Sequence, residues 1–155
     1  MAEQTHSAES RLLAALAHAA IITQALGVVV GVIVYLNQRS KSAYAAFQAL
    51  QAAVYQTVTL IIVILSWIVW TACYLLSFVP LLALAPNPDA PGVLFWVVLG
   101  CLVLPLGLMV LLGIYGLIGA LSVWGGNDFR YAIIGPWLER SGLWQEDDTP
   151  AETAA

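Results

Sequence analysis

The stretch Ser42–Val79 decides the fold: SAYAAFQALQAAVYQTVTLIIVILSWIVWTACYLLSFV. It contains no charged residue, no glycine and no proline. An uncharged run this long could hold a hairpin of two membrane crossings only if something turned the chain, and neither residue that makes tight turns is present. A turn within hydrocarbon would also leave backbone groups without partners. Ala43–Val79 therefore reads as one helix of 37 residues, roughly 55 Å long at 1.5 Å per residue. That exceeds a hydrocarbon core of about 30 Å, so part of it must protrude, tilt or lie at the interface.

Tyr44, Gln48, Gln51, Tyr55 and Thr59 follow at spacings of four, three, four and four and share one face of this helix. From Leu60 to Leu76 the sequence is almost wholly apolar. The expectation is an interfacial segment over 43–53 and a span over about 54–79.

The rest of the chain has the same character. Of 155 residues, 9% are charged and 61% hydrophobic, against about 25% charged in an average soluble domain. The uncharged runs are Leu12–Gln38 (27 residues), Ser42–Pro88 (47) and Ala90–Asn127 (38). Runs of roughly 18 or more apolar residues signal membrane spans. Soluble enzymes, nucleic-acid binders and disordered chains are excluded at this level. A net charge of −4 argues against a polybasic lipid- or nucleic-acid-binding surface. No cleavable signal peptide is visible, since Glu3 and Glu9 precede the first run and that run is too long for a signal core.

The expected architecture is an all-α integral membrane bundle with three spans and an interfacial C-terminal segment. Residues 1–9 read as a disordered N-terminus, 10–142 as one membrane domain and 143–155 as a disordered acidic tail. Ser7 reads as an N-cap with Glu9 in the first turn, opening a span over 12–36. Pro80 should end the second helix, and Pro80–Gly92, with Asp89, reads as a loop. The third span covers 93–124, kinked by Pro105 and closed by Gly125-Gly126-Asn127. Residues 128–142 read as a surface segment, with Pro136 opening a short helix and Gly142 following it. Arg39, Lys41, Arg130 and Arg140 then fall on one side, which places the N-terminus outside and the C-terminus inside.

Candidate sites are few. His18 reads as an intramembrane polar contact, most simply a neutral imidazole bonded to a neighbouring helix. The stripe Tyr44, Gln48, Gln51, Tyr55 and Thr59 reads either as facing headgroups or as a polar path or partner face. Gly27 and Gly31, with Gly113, Gly116 and Gly119, read as helix-packing positions. Arg39, Lys41, Trp96, Trp124, Phe129, Arg130, Tyr131 and Trp137 read as interfacial anchors. Cys73 and Cys101 read as unpaired apolar thiols. No catalytic, cofactor or metal constellation is apparent: there is no phosphate loop, Ser/His/Asp set or Cys/His spacing.

Three segments in order carry a family resemblance: Arg11–His18 (RLLAALAH), Lys41–Gln51 (KSAYAAFQALQ) with Tyr55-Gln56, and Gly126–Tyr131 (GNDFRY) with Ile133-Ile134-Gly135. Together they resemble a Tic-twenty-like bacterial membrane domain family of unknown function. That family is related to the small multi-span subunit of the plastid inner-envelope import translocon. Gln48 stands where those relatives often have His, and Ala43 where they often have Pro. The resemblance implies a small integral membrane protein and, for the translocon subunit itself, four spans. Here the first run is too short for two full crossings, so a bent or re-entrant first helix near Thr23–Gly27 is the compromise.

The functional expectation is a non-enzymatic accessory or structural subunit of a larger membrane complex. The alternative is a transport or channel-type component, such as one related to protein translocation, with the Gln/Tyr stripe lining its path. The expected partners are the lipid bilayer and other membrane subunits or a second copy, with no nucleic acid. The expected location is the bacterial inner membrane, or alternatively a thylakoid or other internal membrane.

Overall fold

A computed structural model of the chain describes residues 7–84 and 92–141. Six helices account for most of them: α1 (Ala8–Ala19), α2 (Ala25–Gln38), α3 (Ala43–Leu84), α4 (Val93–Gly100), α5 (Val103–Trp124) and α6 (Ile134–Arg140), with a 3₁₀ turn at Ala20–Thr23. No strand occurs among the described residues. Two helical stretches are long and apolar enough to cross a bilayer, Ala43–Val79 (mean hydropathy 2.3) and Val93–Trp124 (2.8). Only 11% and 6% of their most apolar windows are buried. They are therefore not core helices of a water-soluble protein, because apolar surface left outside in this amount needs lipid as its solvent.

The first run is not one straight helix over 12–36 but breaks at Ala20–Gln24, beside the Thr23–Gly27 bend that the resemblance implied. Ser7 caps α1 as anticipated, its hydroxyl accepting from the Ser10 amide at 3.1 Å. At Ala20, however, the helix tightens into a 3₁₀ turn, and Gln24 takes φ 55° and ψ −119°. That conformation normally requires glycine, because a Cβ crowds the backbone there. The chain reverses at this point. Ala17 and Leu13 of α1 pack with Val30, Val34 and Tyr35 of α2 and with Ala49 and Ala52 of α3. Twelve and fourteen residues extend only about 18 and 21 Å, short of the ~20 residues that a crossing needs. Three spans are therefore not confirmed: two short helices forming a hairpin precede the two long apolar stretches.

Pro80 does not end α3, which continues one turn further to Leu84. Conversely, the third run breaks before its proline rather than bending around it. Cys101 and Leu102 separate α4 from α5, so Pro105 falls in the first turn of α5, where its missing N–H is no loss. The Cys101 carbonyl that Pro105 cannot serve accepts from the Leu104 amide at 3.0 Å. The C-terminus of α5 is a Schellman turn: Gly126 N–H donates to Val123 and Asn127 N–H to Ser122, with Gly126 at φ +89°.

The chain forms two compact units, residues 1–56 with 116–155 and residues 57–115. In the first unit the hairpin, the start of α3, the end of α5 and α6 surround the polar side chains described below. In the second, Trp67, Trp70, Tyr74, Phe78, Phe95 and Trp96 form a continuous aromatic row. Residues 1–6 of the expected tail over 1–9, the expected tail over 143–155, Gly142 and most of the Asp89 loop lie outside the described residues, whereas Ala8 and Glu9 open α1.

Candidate functional site

The first unit is built around a buried polar network. Its backbone frame is set by the Schellman turn, which directs residues 127–131 back across the start of α3. Asn127 offers its carbonyl to the Tyr44 hydroxyl at 3.2 Å.

Three side chains with no solvent exposure, His18, Gln48 and Gln51, then meet this segment. Gln48 Nε2 donates to Asp128 Oδ1 at 2.9 Å. A carboxylate is an acceptor, so the amide orientation of Gln48 is fixed and its Oε1 faces His18 at 3.1 Å. His18 Nε2 must therefore carry the proton and donate. Its Nδ1 then accepts from the Tyr131 hydroxyl at 3.0 Å. The neutral imidazole is held as one tautomer by these two bonds. Gln51 completes the set: its Nε2 donates to the Phe129 carbonyl at 3.0 Å and its Oε1 accepts from the Tyr131 amide at 3.0 Å. Tyr55 stacks on the Tyr131 ring, with centroids 4.0 Å apart.

A second group of contacts ties the hairpin to α3. Gln56 Nε2 donates to the Ala17 carbonyl, in the last turn of α1, at 2.7 Å. Among the described residues Gln56 Oε1 finds no hydrogen-bond donor, and it lies against Gly27. A Cβ on Gly27 would stand 2.3 Å from the Ala20 carbonyl oxygen, and one on Gly31 3.0 Å from the Ala53 Cβ. The Gly27/Gly31 pair thus faces its own chain. Gly116 meets Ile21, and Gly119 meets Phe129 and His18. Gly113 differs, since a Cβ there would meet nothing within 4 Å among the described residues.

The sequence-predicted residues are therefore gathered differently from the expectation. The Gln/Tyr stripe faces neither headgroups nor a path: Gln48, Gln51, Tyr55 and Thr59 are buried, and the two glutamines are engaged by the 128–131 segment. Tyr131 is not an interfacial ring, because it is 2% exposed and sits inside the network. Arg130 pairs with Asp128 at 2.8 Å and with Glu139, and Phe47 lies beneath its guanidinium. Trp96, Trp124 and Trp137 are exposed, as are Arg39 and Lys41 at the turn before α3. The joining of His18 to Tyr131 was not visible in the sequence, where 113 positions separate them. Cys73 and Cys101 are unpaired. Among the described residues, no three His, Cys, Asp or Glu side chains gather into a metal-binding group.

Arg11 approaches Gly126, and Ala14 and Ala15 pack with Val123, Tyr44 and Phe129. The start of α1, the basic turn before α3 and the end of α5 thus share one end of this unit.

These features define a class: a small helical membrane protein whose polar side chains hold its own C-terminal segment in place. Residues 9–138 match the magnetosome magnetite crystal formation protein family (MamF/MmsF), and the chain belongs to that family. The match overturns the Tic-twenty-like resemblance and, with it, the protein-translocation reading. No curated protein and no solved structure matches the chain.

Proposed function

We propose that this protein is a non-enzymatic structural subunit of the magnetosome membrane, an internal membrane, and that it supports magnetite crystal formation. Family membership over 9–138 is the observation that carries the reading. The chemistry of the site supports it. Gln48, Gln51 and His18 spend their hydrogen-bonding groups on residues 128–131 and on one another, which suits a scaffold better than a reacting centre or a conduction path.

In this reading both termini face the cytoplasm. All five basic residues, Arg11, Arg39, Lys41, Arg130 and Arg140, belong to the unit that carries both ends, as the positive-inside bias requires. The connection between α3 and α4, with Asp89, then faces the compartment in which the mineral grows. The partners are the bilayer and other magnetosome membrane subunits or a second copy.

Deletion followed by complementation tests the function. Loss of the protein should change crystal size or number in electron micrographs, and the intact chain should restore it. Crystals indistinguishable from wild type in the deletion strain would overturn the proposal.

A further inference from the structure

The break between α4 and α5 rearranges the hydrogen bonding of the second unit. Leu102 N–H bonds to Leu99 at 3.0 Å rather than to Val98, which frees the Val98 carbonyl in the middle of an apolar stretch. An unsatisfied carbonyl at such a place is costly. The Trp70 indole N–H supplies the missing partner at 3.1 Å. This cross-helix bond pins α3 to α4 beside the break, and a groove of about 520 Å³ opens there, walled by Val69, Trp70, Cys73, Cys101, Leu104 and Pro105. That volume is within the roughly 300–1,000 Å³ of small-molecule sites.

We propose that this groove binds one acyl chain of a bilayer phospholipid. Both helical stretches that form it are long and apolar enough to cross the membrane, so the solvent at its mouth is hydrocarbon. The mouth residues Val69 and Leu104 are exposed to it. The lining also discriminates among occupants. The Trp70 N–H is committed to Val98, and its ring is stacked on Tyr74 at 5.2 Å with Trp67 edge-on at 5.7 Å. Trp70 has no donor left for a quinone carbonyl, and stacking on Tyr74 already engages its ring. Apart from the Ser66 hydroxyl, what the groove offers is aliphatic surface, two soft thiols and a proline ring, which match methylenes. A flexible chain can follow a niche made by a local helix break, whereas a helix of a second copy, about 10 Å across, needs a longer trough.

The test uses the full-length protein in nanodiscs of phosphatidylethanolamine and phosphatidylglycerol, released into native mass spectrometry. One phospholipid mass should remain on each chain after detergent and loose lipid are stripped. Cys101→Phe, which projects a ring into the groove, should lower its retention at least about tenfold. Leu94→Phe, on α4 outside the groove, should leave it unchanged. Val69→Phe gives a second blocked variant from the opposite wall, and circular dichroism checks that each keeps its helix content. If either variant misfolds, the mass retained by the wild-type protein decides. A retained dimer that Cys101→Phe dissociates, a retained isoprenoid mass, or no retained lipid on the wild-type chain would each overturn the proposal.

Discussion

Replacing Gln51 by Leu isolates the network's contribution. The substitution keeps an apolar side chain of similar reach inside the unit but removes both of its hydrogen-bonding ends. The Phe129 carbonyl loses its 3.0 Å donor and the Tyr131 amide its 3.0 Å acceptor. The weaker 3.3 Å contact with Gln48 Oε1 also disappears. A buried backbone group deprived of its partner costs about 1–3 kcal/mol, so two give a range of about 2–6 kcal/mol. Leucine's greater affinity for the interior recovers some of this, and a net loss of about 3 kcal/mol is the expectation. Reversible unfolding in mild detergent reads the total. Hydrogen exchange at the Tyr131 amide reads its location, and protection there should fall while the middle of α3 stays protected. An unfolding free energy within about 0.5 kcal/mol of wild type, with unchanged exchange at Tyr131, would refute the claim that Gln51 holds the segment.

Other substitutions probe the remaining elements. Gly27→Ala must push a methyl into the Ala20 carbonyl and should cost about 1–3 kcal/mol in the same unfolding assay, whereas Gly113→Ala, with open space around it, should be neutral or stabilising by up to about 1 kcal/mol. Gln24→Gly should stabilise by about 1 kcal/mol, because it relieves a side chain held at φ 55°; a destabilised variant would show that this turn is not strained. Trp70→Phe leaves the Val98 carbonyl without its donor, and the midpoint of thermal unfolding should drop by several degrees, corresponding to about 1–3 kcal/mol.

The long helices were legible because their signals are local. Ser42–Val79 offers no turn-forming residue, and a helix is what a continuous apolar run becomes in lipid. The Schellman turn was legible from Gly125-Gly126-Asn127 for the same reason. A bend near Thr23–Gly27 was in view only through the resemblance, and its form was not legible, because Gln24 occupies a backbone region that sequence reasoning assigns to glycine. Contacts distant in sequence, such as Leu13 and Ala17 with Val30 and Val34 and Gln56 with the Ala17 carbonyl, hold it there. Pro105 marked a break correctly but not its side: the helix yields before the proline, where the Cys101 carbonyl would otherwise lack a donor.

The Gln/Tyr stripe shows the limit more sharply. Its spacing correctly gathers Gln48, Gln51 and Tyr55 on one face, but spacing cannot say what that face meets. The partner proved to be a segment 78 to 80 residues later in the same chain. A polar face beside a long apolar helix therefore served internal packing, which resembles an interface or a pore lining in sequence alone. Family membership, in turn, was misread from short motifs such as GNDFRY, whose residues are explained by the Schellman turn and the network they enter.

The most direct test of the account is two-sided labelling of the protein in intact isolated magnetosomes. Single cysteines would be placed at Ser7, Ser40, Asp89 and Ser141 in a chain lacking Cys73 and Cys101, and treated with a membrane-impermeant maleimide. The account predicts labelling at positions 7, 40 and 141 from outside the intact vesicle, and at position 89 only after permeabilisation. Protection of position 7 while 40 and 141 are labelled would mean that the first run crosses the membrane, and would contradict the hairpin on which the account rests.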